Sequence, residues 1–95
     1  MSEQGQRELS GKVAIITGSA RNMGRAFARA LARDGADVTV HYHAETSRKD
    51  AEETAQLVRD EGVRATVVGG DIAQVATVRR LFDETAIAIA AEVKL

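Results

Sequence analysis

The residues of this sequence with the clearest chemical potential lie in one glycine-bearing segment, residues 17–24, which reads TGSARNMG. A short apolar run, residues 13–17, leads into this segment, and a helical pattern follows it from Gly24. Glycine lets the chain turn tightly off a strand and lets backbone N–H groups approach an anion closely. The positive end of the following helix dipole would then point at that anion. The segment therefore predicts a phosphate-binding loop.

Three apolar runs alternate with three segments of helical periodicity around this loop. The runs are short, and residues 38–42 are rich in β-branched side chains, as in the buried strands of a parallel sheet. Strands that alternate with helices in this way pair in parallel through right-handed crossovers, so the sequence predicts an open α/β sheet. Repeating βαβ units of this length form one half of a dinucleotide-binding fold. We therefore expect a Rossmann-type parallel sheet of βαβαβα order, truncated before a fourth strand, with strands at residues 13–17, 38–42 and 65–68.

Polar residues and glycines delimit the predicted helices. The first helix ends at Gly35, a residue suited to a helix C-terminus, and the second ends at Gly62. Ser47, with Asp50 three residues later, predicts a cap for the second helix, and the third runs from about residue 74 to residue 91. The positions expected to face the sheet are Phe27, Ala30 and Leu31, then Ala51, Thr54, Ala55 and Val58, then Val75, Val78, Phe82 and Ile89. The solvated face of the first helix is expected to carry three basic residues, Arg25, Arg29 and Arg33.

The composition narrows the function classes. There is no cysteine among the 95 residues, which excludes disulfides, thiolate metal sites and a cysteine nucleophile. A formal net charge of −1 and three aromatic residues offer neither the positive surface nor the stacking platform of a nucleic-acid-binding protein. Residues 1–9 are polar and predict a flexible tail ahead of a domain at residues 10–95. The longest apolar stretch, residues 86–91, is far below the ~20 residues that span a bilayer, so we expect a soluble protein. The lack of cysteine fits a reducing compartment, so we expect a cytoplasmic location.

Several segments together resemble the short-chain dehydrogenase/reductase family. Residues 11–18, GKVAIITG, are similar to that family's opening strand, and the glycine loop follows at the same place. Three further segments continue the resemblance, which covers about residues 10 to 85: residues 25–38, residues 70–72 (GDI) and residues 78–83 (VRRLFD). It implies that the chain is the cofactor-binding portion of an oxidoreductase that acts on carbonyl or alcohol groups, with a nicotinamide dinucleotide as its ligand.

The resemblance also implies where that dinucleotide would bind. Asp71 would accept a hydrogen bond from the adenine amino group, and the backbone N–H of Ile72 would meet the adenine ring; alternatively, Asp71 caps the following helix. Asn22 stands where the family has its middle glycine, and asparagine is the least costly non-glycine residue at positive φ. The loop residues expected to contact the ligand are Gly18, Ser19, Arg21, Asn22, Met23 and Gly24.

The residue at the end of the second strand indicates whether NAD or NADP is preferred. Folds that prefer NAD place an acidic residue there to bind the ribose 2′-hydroxyl, and in this family that position falls at Tyr42. Arg21 and His43 offer groups suited to a 2′-phosphate instead, with Ser47 and Arg48 as helpers. We therefore expect NADP(H) to bind in preference to NAD(H).

Metal binding and catalysis are not expected of these 95 residues. His41 and His43 lie two residues apart on a strand, but the further ligands of a zinc site are missing, and ordinary strand positions are the better interpretation. The family's catalytic serine and Tyr-x-x-x-Lys motif are absent, because the sole tyrosine, Tyr42, is followed four residues later by Thr46. The resemblance thus implies a portion that is inactive alone.

Two functional hypotheses remain open at this stage. The first is an NADP-dependent oxidoreductase portion, and the second is a non-catalytic dinucleotide-binding module that pairs with a partner chain. Without a fourth strand, residues 13–17 would form an apolar sheet edge, which predicts a homo-oligomer or a complementing chain. A phosphate-accepting receiver domain or a methyltransferase fits less well, because both would place an acidic residue near Thr17.

Overall fold

The computed structural model describes residues 7–88, which form a parallel sheet flanked by helices. The elements are β1 (Val13–Ile16), α1 (Asn22–Arg33), β2 (Asp37–Tyr42), α2 (Arg48–Arg59), β3 (Ala65–Gly69) and α3 (Val75–Ala88). The sheet order β1-β2-β3, with both pairings parallel, confirms the predicted α/β class and βαβαβα order. Ile89 and the predicted end of the third helix lie outside the described residues. Within residues 7–88, no helix has the length and apolarity needed to cross a membrane.

The central strand β2 determines how the two layers of helices pack. Its register pairs Val40 with Ile16 of β1 and with Val67 of β3. Val38 and Val40 pack into a core that includes residues of α1 and α2. Successive side chains of a strand point to opposite faces, and Thr39 hydrogen-bonds to a residue of α3. Helices α1 and α2 therefore cover one face of the sheet, and α3 covers the other.

The core between the sheet and the first two helices is built from small side chains. Short side chains let the helices lie close to the sheet, and complete burial of each valine contributes about 1.5–3 kcal/mol relative to its exposure. The stripe predicted for α2, namely Ala51, Thr54, Ala55 and Val58, is confirmed, since all four residues are buried. The helical residues in this core are Ala28, Ala32, Ala51, Ala55 and Val58.

The residues predicted to face the sheet from α1, beginning with Phe27, are wrong by about one position. The residues buried in α1 are Ala28 and Ala32, whereas Phe27 is 56% exposed and Ala30 is also exposed. The closely packed interface with β2 accommodates methyl groups and excludes an aromatic ring at this position. The predicted end of this helix is confirmed, because Gly35 follows it with φ of 104°.

The stripe predicted for α3 is also wrong. Its buried residues are Thr77, Leu81 and Thr85, whereas Val75 and Phe82 are 71% and 64% exposed. The hydroxyl of Thr85 lies 2.6 Å from that of Thr39 on β2 and donates to the carbonyl of Leu81 at 2.5 Å. Paired hydroxyls satisfy each other inside the fold, so threonine faces the sheet where hydrophobic periodicity favours valine and phenylalanine.

The described end of the predicted tail packs against the fold. Residues 1–6 lie outside the described residues. The backbone N–H of Leu9 donates to the carbonyl of Asp34 at 2.8 Å, and the Arg7 guanidinium donates to the carbonyl of Glu61 at 3.0 Å. These contacts tie the segment before β1 to the C-terminal ends of α1 and α2. In the described sheet β1 has β2 as its neighbour on one side, and Val13 is 38% exposed.

Candidate functional site

The loops that follow the three strands meet at the carboxyl edge of the sheet, where those after β1 and β2 line a cleft. Parallel strands all end at the same edge, so the segments after β1, β2 and β3 are brought together there. The cleft measures about 190 Å³, less than the roughly 300–1,000 Å³ of a pocket that encloses a small molecule. A ligand as long as a dinucleotide would therefore place one part in the cleft and extend over the surface. The residues that line the cleft are Gly18, Ala20, Arg21, Asn22, Tyr42, His43 and Ser47.

Two left-handed residues shape the loop between β1 and α1. Gly18 has φ of 64° and Asn22 has φ of 56°, and among the described residues Asn22 alone combines a side chain with positive φ. This conformation agrees with the expectation that asparagine, in place of glycine, tolerates positive φ at this position. An asparagine tolerates this conformation better than other residues with a side chain, so the loop keeps its course without the glycine.

The first turn of α1 lies directly against this loop. A Cβ atom on Gly24 would stand 2.2 Å from the carbonyl oxygen of Gly18 and 2.7 Å from the Cα of Ser19. Both obstacles are backbone atoms, which cannot retreat as a flexible side chain can. Gly24 is therefore required for the close approach of helix and loop.

Ser19 anchors the loop to β2. Its hydroxyl donates to the carbonyl of Ile16 at 2.7 Å and accepts from the backbone N–H of His41 at 3.1 Å. Its own backbone N–H donates to the carbonyl of His41 at 3.0 Å. Ser19 is fully buried, so the structure shows its hydroxyl holding the loop in place, and its predicted contact with the dinucleotide stays a prediction.

Arg21 and Arg25 have different environments, although both are basic and close in sequence. The Arg21 side chain is 60% exposed at the rim of the cleft, with its Nε 3.5 Å from a carboxylate oxygen of Asp50. Arg25 instead donates from Nε to the Thr54 hydroxyl at 2.8 Å and from Nη2 to the carbonyls of Ala20 and Asp50 at 3.0 and 2.9 Å. The interpretation of Arg25 as part of a solvated face is therefore wrong. It ties the loop to α2, and its spacing alone does not distinguish it from Arg29 and Arg33.

The end of β2 presents an aromatic ring to the cleft. Tyr42 is buried, and a Cβ atom on Gly69 of β3 would lie 2.2 Å from its ring. The close packing of this ring on a glycine has no signal in the sequence pattern. His43 is exposed beside it, with Nδ1 3.9 Å from a carboxylate oxygen of Asp71. The strand thus ends at Tyr42, His43 follows it, and the residues that line the cleft include no carboxylate.

Ser47 and Arg48, the two residues predicted to assist in binding a 2′-phosphate, have different environments. Ser47 lines the cleft and occupies the N-cap position of α2, but within residues 7–88 its hydroxyl makes no capping hydrogen bond, contrary to the sequence prediction. Arg48 pairs with Glu45 at 3.3 Å, and this hydrogen bond raises the pKa of the Arg48 guanidinium. The charge partner of Arg48 therefore lies three residues earlier, just before α2.

The remaining predicted residues lie near the cleft without lining it. Met23 is exposed on the first turn of α1, and Ile72 is exposed in the loop after β3. Asp71 accepts a hydrogen bond from the backbone N–H of Ala73 at 2.9 Å, but Ala73 lies in the loop before α3, so this contact stabilises the loop and is not the predicted helix cap. No cluster of three or more histidine, cysteine or acidic residues that could hold a metal occurs within residues 7–88.

His41, which precedes Tyr42 on β2, has a role that the sequence pattern does not predict. Its Nδ1 accepts a hydrogen bond from the backbone N–H of Gly18 at 3.0 Å. Its Nε2 lies 2.7 Å from the carbonyl oxygen of Gly70, in the loop after β3. The sequence around a histidine inside a strand does not predict such contacts, because both partners are distant in sequence.

Comparisons with known proteins agree on one family. The sequence model of short chain dehydrogenases matches residues 12–93. A hydroxynaphthalene reductase-like protein of Metarhizium robertsii is 41% identical over 83 residues, which are 87% of this chain and 30% of that protein. General stress protein 39 of Bacillus subtilis is 42% identical over 71 residues, 75% of this chain and 24% of that protein. The chain therefore spans about 30% or less of the length of these relatives.

Solved structures show the same similarity in three dimensions. A dehydrogenase from Burkholderia cenocepacia with bound NADP has a TM-score of 0.79 and 40% identity, over 85% of this chain and 31% of that one. A blue fluorescent protein from a metagenomic library, in complex with NADPH, has a TM-score of 0.77 and 37% identity, over 83% of this chain and 32% of that one.

Proposed function

Because the chain belongs to the short-chain dehydrogenase family and corresponds to its cofactor-binding part, we propose that it binds NADP(H) at the carboxyl edge of its sheet. The observation that carries this proposal is the cleft itself, in which the left-handed turn at Gly18 and Asn22 faces a strand end without a carboxylate. Two structural neighbours that contain NADP or NADPH support the choice of ligand.

The pyrophosphate would lie at the start of α1. The first hydrogen bond of this turn runs from the N–H of Arg25 to the carbonyl of Arg21, so the N–H groups of Asn22, Met23 and Gly24 precede the helical ladder. Such groups, together with the helix dipole, favour an anion. Gly18 and Gly24 would allow the close approach, and Ser19 would keep the loop in position.

The 2′-phosphate would lie between Arg21 and His43 at the rim of the cleft, with the Ser47 hydroxyl beside them. Arg21 is held by Asp50 at 3.5 Å, but this ion pair is exposed and contributes only about 0–1 kcal/mol, so the guanidinium can turn to a phosphate. The doubly charged phosphate would meet two basic groups and no lining carboxylate.

The adenine would lie on the loop after β3. Asp71 uses Oδ1 for its contacts with Ala73 and His43, and we expect Oδ2 to accept from the adenine amino group. Ile72 is exposed next to it and would offer its backbone N–H and an apolar surface to the ring. The contact of Asp71 with Ala73 in its own loop and the proposed contact with adenine are thus compatible.

The complete oxidoreductase activity goes beyond what these residues can perform. NADPH supplies a hydride for the reduction of a carbonyl group, but the family's catalytic serine and Tyr-x-x-x-Lys have no counterpart among the 95 residues. Tyr42, the sole tyrosine, is buried in the core of the cofactor part. We infer that the chain binds the cofactor and that turnover on carbonyl or alcohol substrates needs residues from elsewhere.

A second candidate is a binding module that pairs with another chain, and the exposed side of β1 favours it. β1 has one neighbour in the described sheet, and the apolar Val13 is partly exposed there. A strand edge of this kind accepts an added strand. Restoration of turnover by a chain that carries the catalytic residues would support the oxidoreductase interpretation, and pairing without turnover would support the module.

The decisive experiment compares two ligands that differ only by the 2′-phosphate. Calorimetric titration of the chain with adenosine 2′,5′-bisphosphate and with adenosine 5′-monophosphate should show at least about tenfold tighter binding of the bisphosphate, roughly 1.4 kcal/mol. Arg21→Ala should abolish this difference and leave the monophosphate affinity nearly unchanged. Equal affinities for both ligands in the unmodified chain would refute the NADP preference, and no binding of either would refute the proposed function.

A further inference from the structure

His41 connects the two loops to which the proposed function assigns the cofactor. The imidazole is 2% exposed, and both of its ring nitrogens have a backbone partner. Nδ1 contacts Gly18 in the loop after β1, and Nε2 contacts Gly70 in the loop after β3. These loops follow the two strands that flank β2, so the ring spans the sheet edge from one side of its own strand to the other.

The chemistry of the partners defines the state of the ring. A backbone N–H can only donate and a carbonyl oxygen can only accept, so Nδ1 must be unprotonated and Nε2 must carry the hydrogen. His41 is therefore a neutral imidazole in a single tautomer. This state acts as an acceptor on one side and a donor on the other.

Both partners have backbone conformations that favour glycine. Gly18 has φ of 64° and Gly70 has φ of 142°. A Cβ atom on Gly70 would stand 2.7 Å from the Thr77 hydroxyl of α3, so the Gly70 peptide is confined between that helix and the imidazole. The Gly70 N–H also donates to the carbonyl of Tyr42 at 3.0 Å, so the imidazole adds a second hydrogen bond between β2 and the loop after β3.

The main chain of His41 strengthens the connection to the first loop. Its N–H donates to the Ser19 hydroxyl and its carbonyl accepts from the Ser19 N–H. Backbone and side chain together make three hydrogen bonds to Gly18 and Ser19 and one to Gly70. The contact with Gly70 is therefore what makes the ring a bridge between the loops.

We propose that His41 is a positioning residue for the dinucleotide: its neutral imidazole sets the separation of the phosphate-binding loop and the adenine-binding loop. This inference rests on the proposed function, since it concerns the same site. A ligand that contacts both loops needs them at a fixed distance, whereas a ligand that contacts one loop does not. Loss of the bridge should therefore weaken the binding of adenosine 2′,5′-bisphosphate more than the binding of inorganic pyrophosphate.

Substitutions of His41 test the bridge, and a neighbouring threonine supplies the control. His41→Leu removes both ring contacts, and we expect a loss of about tenfold or more in affinity for adenosine 2′,5′-bisphosphate. His41→Asn keeps an acceptor near Nδ1 and His41→Gln keeps a donor near Nε2, so each should recover part of the loss. Thr39→Val, two residues away on the same face, removes the buried bond to Thr85 and should lower stability without changing affinity.

Nuclear magnetic resonance tests the bridge in the unmodified chain, independently of any variant's folding. The imidazole nitrogens should show the Nε2–H tautomer, and a coupling through the hydrogen bond should join the Gly18 amide to Nδ1. Absence of that coupling, or bisphosphate affinity in folded His41→Leu equal to that of the parent, would overturn the proposal. An equal affinity loss in Thr39→Val would also overturn it, because the effect would then follow stability. If the unmodified chain binds no bisphosphate, the proposed function itself fails, which is a distinct result.

Discussion

The carbonyl oxygen of Gly18 lies so close to Gly24 that a Cβ atom on Gly24 would stand only 2.2 Å from it. This relationship joins the loop after β1 to the first turn of α1 without an intervening side chain. It places the N–H groups of that turn at the loop, and it leaves no room for even the smallest substitution.

Gly24→Ala should destabilise the chain although alanine is the better helix former. The added methyl group meets backbone atoms of Gly18 and Ser19, and such overpacking costs about 1–3 kcal/mol, which outweighs the helix preference of up to about 1 kcal/mol. Urea denaturation followed by circular dichroism measures the change. Arg29→Ala, at an exposed position of the same helix, should shift the free energy of unfolding by no more than about 0.5 kcal/mol. A Gly24→Ala chain as stable as its parent would contradict the close packing.

Asn22 should tolerate glycine and resist alanine. At φ of 56°, alanine pays a conformational cost of about 1–2 kcal/mol that glycine avoids. We expect Asn22→Gly to lie within a few tenths of a kcal/mol of the parent or above it, and Asn22→Ala to lose about 1 kcal/mol. Parallel urea titrations of the three chains decide the matter, and equal stability of the two variants would show that the residue leaves the left-handed region in solution.

Asp50→Asn should strengthen binding of a 2′-phosphate. The substitution removes the charge that holds Arg21 at 3.5 Å and keeps the backbone carbonyl to which Arg25 donates. An exposed ion pair of up to about 1 kcal/mol corresponds to a gain of about two- to fivefold in affinity for adenosine 2′,5′-bisphosphate. Adenosine 5′-monophosphate should bind as before, and calorimetry measures both.

The matched control for this prediction is Glu84→Gln. It removes the same charge from another exposed pair, Arg80 and Glu84, whose atoms lie 3.6 Å apart on α3. If both substitutions raise the bisphosphate affinity equally, the effect comes from net charge, and the assigned role of Arg21 is not supported.

Arg25→Met should cost more stability than substitution of its neighbours on α1. The guanidinium donates to the Thr54 hydroxyl and to the carbonyls of Ala20 and Asp50, and loss of hydrogen bonds to a charged group costs about 1.5–3 kcal/mol. Arg29→Met, at an exposed position, should cost less than about 0.5 kcal/mol. Thermal and urea unfolding of the two variants provide the comparison, and equal losses would mean that Arg25 is solvated as its spacing alone indicates.

Local chemistry was sufficient for much of the prediction. The order of strands and helices follows from apolar runs and glycine breaks, and the position of the loop after β1 follows from a glycine segment between a strand and a helix. The tolerance of Asn22 for positive φ is a property of asparagine itself, so it was predictable before the fold was known. The family resemblance rests on the same contiguous segments, which is why it was visible in the sequence.

Long-range packing was the source of the errors. Phe27 and Phe82 are apolar and correctly spaced, yet both are exposed, because the sheet accepts Ala28, Ala32 and Leu81 instead. Arg25 resembles its solvated neighbours until α2 is placed beside it. In each case the decisive partner lies far away in sequence, where periodicity carries no information.

The sequence by itself determined the fold class, the position of the glycine-bearing loop and the presence of a tyrosine, not an acidic residue, at the end of β2, since each depends on residue type and local spacing. Only the tertiary structure decided that His41 joins the loops after β1 and β3, and that Arg21 forms an ion pair with Asp50. The physical reason is that parallel strands bring their carboxyl ends together only when the sheet forms. Hydrogen bonds across that edge join residues separated by more than twenty positions in the chain.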